Sequence, residues 1–439
     1  MSLLLKECRQ ISKSIIYFVF IGVIVLFYVT QIGDSIGSDI REARQPSAYN
    51  IDNPLMKPPA HAKDYGSREA EIPEQVMPGA IASLVQEYTN NQYAAYPFGF
   101  YKSVKLSEDD QAKVADIITE ITGEHPDALL PAIQKQMGEQ QAAVLSGKET
   151  AATETNIPIK IAYEAFRSKM AEIDDILGGG SKYAPESLKE FGKATVTYEE
   201  KLAEYNAFIN EDQISGAYAR LFCDYMGITI SLFSVFVPVA YVTRDRKARM
   251  NELIYSRRAG SVHLIVTRYF ALVLMLLLPF VLLSLLPLFQ LVRYGMENHL
   301  TVDLFAFFKY IAAWLLPTMM TTTAVGLFLT TLTDTPIAIA VQFLWSYLDI
   351  NNGISRIYGG DYGLGLTIRH NSLFHLQTMK DDIGELVVNR LFYVALSLVL
   401  VLAAILIYEM KRRGKLDLYG RIQKIFRHRQ NAAQADAFS

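Results

Sequence analysis

The sequence predicts an all-α polytopic membrane protein with six transmembrane helices. A mainly helical extracytoplasmic domain is inserted between helices 1 and 2. The first observation is a series of apolar stretches near the roughly 20 residues that a helix needs to cross a membrane. The second is their spacing, because one span is followed by 183 mostly polar residues and then by five spans close together. The composition agrees, since 51% of the residues are apolar and 20% are charged.

The span boundaries follow from where each apolar stretch meets polar residues. The predicted spans are residues 14–33, 217–242, 264–292, 304–332, 335–348 and 391–408. The fifth is the shortest. Basic residues precede the first span, as in a signal peptide, but its apolar core exceeds the usual length of about 7–15 residues and no cleavage pattern follows at once. We therefore expect residues 1–33 to be an N-terminal segment with an uncleaved transmembrane helix.

Basic residues near the span ends predict the orientation. The segments 1–13, 243–263 and 409–439 together carry 17 Lys or Arg residues, whereas the loops 293–303 and 351–389 carry four. Basic residues in short loops stay on the cytoplasmic side. The sequence therefore predicts a plasma-membrane protein with cytoplasmic N- and C-termini, and it places residues 34–216 outside.

The predicted extracytoplasmic domain, 34–216, divides into two parts. Several prolines between Pro46 and Pro73 predict an extended chain over 34–72, because proline breaks helices. Apolar residues at helical spacing follow and predict helices. They are Val114, Ile117, Ile118 and Ile121, then Phe166, Met170, Ile173 and Leu177, then Tyr198, Leu202, Tyr205 and Ile209. We expect the last helix, about 185–213, to run directly into the second span.

The chain lacks the motifs that would indicate chemistry of its own. It contains no Gly-x-Ser-x-Gly nucleophile elbow, no His-Glu-x-x-His zinc motif and no Gly-x-x-x-x-Gly-Lys-Ser/Thr phosphate loop. Net charge is near zero, which gives no argument for nucleic-acid binding. We expect no catalytic, cofactor or metal residues in this chain, and a membrane-bound lipid enzyme ranks last among the functions considered.

The loop 243–263 is the segment richest in functional signals. It is short, highly charged and predicted to be helical in its middle, with a small apolar edge at Leu253 and Ile254. Such a helix can transmit force if another protein grips it. Alternatively, it is a basic loop that binds anionic headgroups, at about 1 kcal/mol per basic residue. Composition alone favours this second interpretation.

A resemblance to a known family favours the first interpretation, a helix that transmits force. The loop carries Asp245, then Glu252-Leu253, then Ser256-Arg257-Arg258, and Arg268 opens the next span. With one span, a large external domain and five further spans, the chain resembles the permease subunit of type-2 ABC exporters. Asn389-Arg390 before the last span and Lys6-Glu-Cys-Arg9 before the first are also similar to that family. The resemblance covers about 1–33 and 217–415, and departs from the family where Arg257-Arg258-Ala259 replaces a common proline.

The resemblance implies a coupling helix that docks on a separate cytosolic ABC ATPase, which would bind the ATP and Mg. The implied coupling residues are Asp245, Arg249, Glu252, Leu253, Ser256, Arg257 and Arg258. It also implies a second permease chain, identical or sister, and export of a lipid, peptide antibiotic or other amphipathic compound. The alternative is a non-transporting sensor or scaffold whose external domain binds an envelope ligand and signals inward.

Polar residues inside the spans and loops complete the predictions. Thr318, Thr322 and Gly326 are expected either to line a transport path or to let neighbouring helices pack closely. Of these two interpretations, helix packing is favoured. Asp224 and Lys309 lie near span ends, where snorkelling would keep their charges in water. In the loop 349–389, the apolar stretch 364–376 is expected to dip into the outer leaflet. The tail 409–439 is a predicted basic amphipathic helix on lipids of the inner leaflet.

Overall fold

The protein is described by a computed structural model that covers residues 3–33, 35–44, 55, 59, 64–97, 100–145, 157–247, 260–353 and 357–415. The chain forms two compact units. The first contains Met1–Pro58 and Ala203–Ser439, and the second contains Pro59–Leu202. The predicted domain, 34–216, is wider than the second unit on both sides.

The elements are mostly helices. The first segment contains α1 (Leu3–Ile11), α2 (Ile15–Gln31) and α3 (Ser35–Arg44). Next come β1 (Ser67–Glu69), α4 (Pro73–Asn90), β2 (Tyr93–Ala95), β3 (Lys102–Val104), α5 (Glu108–Thr122), α6 (Pro126–Leu145), α7 (Tyr163–Leu177), β4 (Lys193–Thr195) and α8 (Tyr198–Asn206). The rest contains α9 (Ser215–Phe233), α10 (Phe236–Lys247), α11 (Ser261–Asn298), α12 (Ala306–Tyr310), α13 (Leu316–Thr333), α14 (Ile337–Asn352), α15 (Leu376–Asp381) and α16 (Ile383–Arg412).

Five helical stretches are long and apolar enough to cross a membrane. They are Ile15–Ala43, Ser215–Arg244, Ser261–Asn298, Ala306–Thr333 and Ile383–Arg412. Each contains one of the predicted spans apart from a residue or two at its ends, so the fold is that of a predominantly helical, membrane-embedded protein. The remaining predicted span, 335–348, is helical as α14. With 16 residues, α14 is about 24 Å long, less than the roughly 30 Å of a hydrocarbon core.

The extended chain predicted for 34–72 is wrong at its start, because α3 is a helix. The prediction rested on prolines, and the first of them is Pro46, beyond the end of α3. Within α3, Ile36 and Ile40 are four residues apart on one face, and both are buried. Asp39 accepts a hydrogen bond of 2.7 Å from the Tyr218 hydroxyl in α9. Apolar packing and this bond fix α3 against the bundle.

The second unit has its own hydrophobic core. The predicted apolar faces of α5 and α7 are buried in it together with α4, which confirms those two helical patterns. Ser107 caps the start of α5, where its hydroxyl accepts a hydrogen bond from the Asp110 amide. Gly123 ends α5 in the left-handed conformation. Strand β1 pairs with β4, which brings the two ends of the unit together, and β2 pairs with β3 as a hairpin.

The continuous helix predicted for about 185–213 is also wrong. The chain there forms a short 3₁₀ turn, strand β4, helix α8 and a π-helical turn at Ala207–Glu211. Gln213 and Ile214 then have positive φ angles of 47° and 62°, which end any helix before α9. The buried ion pair described below, between Asp212 and α9, holds this break in place.

Candidate functional site

Most of the predicted coupling residues fall outside the residues that the structure describes. These are Arg249, Glu252, Leu253, Ser256, Arg257 and Arg258. Asp245 lies in the last turns of α10, which ends at Lys247. The two helices that flank the segment, α10 and α11, are described, and so are their contacts.

Helix α1 contacts both flanking helices. The side-chain oxygen of Gln10 accepts hydrogen bonds from the Tyr241 hydroxyl at 3.0 Å and from the Arg244 guanidinium at 2.9 Å, both in α10. Glu7 forms an ion pair with Arg268 of α11, with 3.7 Å between Oε1 and Nε. Both of these side chains are at most 10% exposed. The N-terminal helix therefore connects the end of α10 to the start of α11.

Tyr241 strengthens the same connection. The guanidinium of Arg244 lies 4.8 Å from the centre of its ring, and that of Arg268 lies 5.7 Å from it. Both distances are within the range of a cation–π interaction. One aromatic ring thus contacts cations from both flanking helices. We call this group, Glu7, Gln10, Tyr241, Arg244 and Arg268, the α1 cluster.

Further polar bonds join helix ends to α16. Ser261, at the start of α11, donates a hydrogen bond to Glu409 in α16. Lys411 forms an ion pair with Asp334, the residue that ends α13. The start of α11, the end of α13 and the end of α16 are therefore connected to one another.

A second polar group lies in the other half of the bundle and begins in α9. Arg220 is fully buried and forms a bidentate pair with Asp212, with N–O distances of 2.7 and 2.8 Å. It also donates hydrogen bonds to the Leu373 carbonyl at 3.1 Å and to the Tyr310 hydroxyl at 3.3 Å. A buried charge is tolerated only when it is paired in this way. Arg220 was not singled out from the sequence.

One helical turn later, Asp224 is fully buried too. It accepts hydrogen bonds from the Arg369 side chain at 2.9 Å and from the His370 amide at 2.7 Å. The expectation that Asp224 snorkels to water is therefore wrong, because residues 366–376 cover it. Lys309, by contrast, is exposed and pairs with Asp303 at 2.7 Å.

The same loop is held by its backbone. Asp349 accepts hydrogen bonds from the amides of Leu366 and Thr367 at 2.7 and 2.8 Å, and the Leu366 carbonyl accepts one from Thr318 at 2.8 Å. This stretch is irregular rather than helical, and helix α15 begins only at Leu376. Irregular backbone within a bundle requires such internal partners. The group of Arg220, Asp224, Asp349, Arg390 and residues 366–376 is called the loop cluster below.

Arg390 is the most unusual member of the loop cluster. It is 7% exposed, and its hydrogen-bond partners among the described residues are all uncharged. They are the Asn389 side chain, the Thr318 hydroxyl and the carbonyls of Trp314, Gly365 and Leu366. The sequence drew attention to Arg390 only through the family resemblance. A cation directly before an apolar span was the signal that could have marked it.

His370 lies between these charged groups and is fully buried. Its Nε2 is 2.9 Å from the Phe374 carbonyl, whereas its Nδ1 has no hydrogen-bond partner among the described residues. Burial, together with the nearby positive charge of Arg220, lowers the pKa of His370 to about 4. The imidazole is therefore neutral at physiological pH.

The three predicted path or packing residues of α13 lie in contacts between helices. Thr318 donates to the Leu366 carbonyl and accepts from Arg390. Thr322 accepts a hydrogen bond of 2.6 Å from Ser234. A Cβ atom added to Gly326 would lie 2.8 Å from Cγ of Pro238 in α10, so the two helices approach closely there.

Comparison with known proteins adds no identification. No protein-family model, no curated protein and no solved structure matches this chain. The account of its function therefore rests on the sequence and on the contacts described above.

Proposed function

We propose that this chain is the membrane-spanning permease subunit of an ATP-driven exporter. In this proposal the chain crosses the plasma membrane six times, its termini are cytoplasmic, and the second unit is extracytoplasmic. A separate cytosolic ATPase binds ATP and Mg and docks on the loop 243–263. Two permease chains, identical or sister, enclose the path for a lipid, peptide antibiotic or other amphipathic compound.

The observation that carries the proposal is the α1 cluster. The segment between α10 and α11 is the predicted contact for the ATPase. Both helices contact α1 through the hydrogen bonds and the ion pair of the α1 cluster, and the ring of Tyr241 links their cations. A push on the segment would therefore move the ends of α10 and α11 as one body. Helix α11 has 38 residues and is about 57 Å long, so the movement would extend across the whole membrane.

The loop cluster supports a path between two chains. Residues 366–376 fill the bundle near Asp224 and Thr318 with bonded backbone, and the cavity beside them has a volume of about 360 Å³. That volume is near the lower end of small-molecule sites, which is small for an amphipathic cargo. Cargo would therefore pass between the bundles of two chains. This is the reason that the proposal includes a second permease chain.

A sensor or scaffold is the second candidate. The observation that favours it is the second unit, which has a core of its own and a cavity suited to a small ligand. In that role the α1 cluster would carry a signal inward, and no compound would cross the membrane.

The test is purification of the tagged full-length chain from the cells that make it naturally, followed by measurement of ATP hydrolysis. The exporter proposal predicts a co-purifying ATPase whose activity depends on the loop. Glu252→Lys and Arg257→Glu should each lower the amount of bound ATPase. Glu297→Lys is the matched control, because Glu297 is paired with Arg293 near the far end of α11.

Wild-type protein that binds no ATPase would overturn the proposal. So would loop variants that bind and stimulate the ATPase as well as the Glu297→Lys control does. ATP hydrolysis without movement of any amphipathic compound across reconstituted vesicles would favour the sensor.

A further inference from the structure

The second unit contains an open cavity of about 370 Å³ between the end of α4 and the first half of α5. This volume lies in the range of small-molecule sites. Asn91 fixes one wall, because its side chain bonds both the amide and the carbonyl of Leu106, at 2.9 and 3.0 Å. The cavity is therefore bounded by two helices and a loop that is held in place.

The lining combines an apolar interior with acidic groups. Tyr88, Leu106 and Ala115 supply an aromatic ring and aliphatic surface, while Glu108 and Asp116 supply two exposed carboxylates. None of the described residues that line the cavity is a lysine or arginine. His125 also lines it, and its ring is engaged by Asp127 at 3.2 Å. The local charge is negative.

The two carboxylates of the cavity differ from their neighbours on α5. Asp110 is paired with Lys113 at 2.7 Å, and Glu120 is paired with Lys169 at 2.7 Å. The side chains of Glu108 and Asp116 make no hydrogen bond or ion pair with any residue in the described part of the chain. Two uncompensated anions beside an aromatic ring form a complementary surface for an organic cation.

The net charge of the whole second unit also favours the binding of a cation. Residues 59–202 contain 14 Lys or Arg and 23 Asp or Glu residues, a formal net charge of −9. The rest of the chain contains 28 and 22, a net charge of +6. The negative field of the unit raises the local concentration of cations near the cavity.

We propose that this cavity binds an organic cation, an ammonium or guanidinium group carried on an apolar body. The cation lies between Glu108 and Asp116 and against the ring of Tyr88, and the apolar body contacts Leu106 and Ala115. Binding at this site does not require transport or an ATPase. The binding proposal is therefore tested independently of the proposed exporter function.

The test uses full-length protein in a neutral detergent and benzyltrimethylammonium as the probe, followed by ligand-observed NMR titration. Wild-type protein should bind the probe and should bind uncharged benzyl alcohol more weakly. The double variant Glu108→Gln/Asp116→Asn should bind the probe roughly tenfold more weakly, and Tyr88→Leu roughly threefold more weakly. All of the altered side chains lie at the surface or only half-buried, and thermal unfolding checks that each variant is folded.

The matched control is Asp109→Asn/Glu164→Gln, which removes the same charge from exposed positions outside the cavity lining. It should change the affinity less than twofold. The proposal is overturned if wild-type protein does not bind the probe. It is also overturned if the control weakens binding as much as the cavity variant, or if benzyl alcohol binds equally well.

Discussion

The α1 cluster and the loop cluster both keep charges inside a helical bundle, but they do so differently. In the α1 cluster, a few side chains bond to one another, and Gln10 is exposed. In the loop cluster, buried and half-buried ions bond to side chains and to the backbone of residues 366–376. The difference suggests distinct roles, because the first group can rearrange by moving side chains, whereas the second can rearrange only if the loop leaves the bundle.

The largest effect is expected from breaking the buried ion pair of the loop cluster. Arg220→Met leaves Asp212 buried without its partner, which should lower the free energy of unfolding by about 3–5 kcal/mol. The double variant Arg220→Met/Asp212→Leu should recover much of this loss, because neither charge of the pair is then left buried without its partner. Thermal unfolding in detergent measures both. Equal losses in the single and double variants would show that the unpaired Asp212 carboxylate is not the cause of the loss.

The pH dependence of the free energy of unfolding tests whether His370 of the loop cluster is buried in its neutral form. The folded pKa of about 4 lies below the ordinary value of 6.5, so the unfolded chain binds the proton more readily. The contribution of His370 is therefore complete above about pH 6.5 and is lost as the pH falls toward 4, up to about 3 kcal/mol. His370→Phe should flatten the stability profile between pH 4 and about 6.5. An unchanged slope in this variant would assign the dependence to other groups.

Helix contact in α13 should show an intermediate effect. Gly326→Ala places a methyl group against Pro238 and should lower the free energy of unfolding by about 1–2 kcal/mol. Gly22→Ala is the matched control, because no atom outside the adjacent backbone of its own helix lies within 4 Å of the added carbon among the described residues, and helix propensity should stabilise it by about 0.5–1 kcal/mol. Chemical denaturation in mixed micelles compares the two. Stability changes of the same sign and size would argue against close packing at Gly326.

The smallest change in stability is expected in the α1 cluster. Gln10→Ala removes two hydrogen bonds near the surface and should cost about 1 kcal/mol or less. Under the proposed function, the same variant should nevertheless lower transport per ATP hydrolysed, because α10 would no longer be tied to α1. Ser12→Ala is a control just after the same helix, since its hydroxyl donates a local hydrogen bond to the Arg9 carbonyl. Unaltered coupling in Gln10→Ala would separate the α1 cluster from force transmission.

The sequence predicted the regular parts of the fold well. Apolar runs of span length identified the five long helices, and the spacing of Val114 to Ile121 identified the buried face of α5. The ends of helices were less predictable. Helix α16 begins at Ile383, eight residues before the predicted span, because Asn389 and Arg390 find their partners inside the protein. Glu385, in the first turn, accepts a hydrogen bond from the Gly363 amide at the surface.

The loop cluster was not predictable for a related reason. Asp224 and Arg369 are 145 residues apart, and no local pattern on either segment indicates their pairing. Asp212 and Arg220 are close in sequence, yet their contact depends on the positive φ angles at Gln213 and Ile214. Neither residue type favours that conformation, so the break arises from tertiary contacts.

The most direct test of the account is the side of the membrane on which the second unit and the loop 243–263 lie. Cys8 and Cys223 are replaced by serine, and a single cysteine is introduced as Lys135→Cys or Met250→Cys. Intact cells are then treated with a maleimide that does not cross membranes. The account predicts labelling of Lys135→Cys in intact cells and of Met250→Cys only after permeabilisation. Labelling of Met250→Cys in intact cells, or protection of Lys135→Cys, would contradict it.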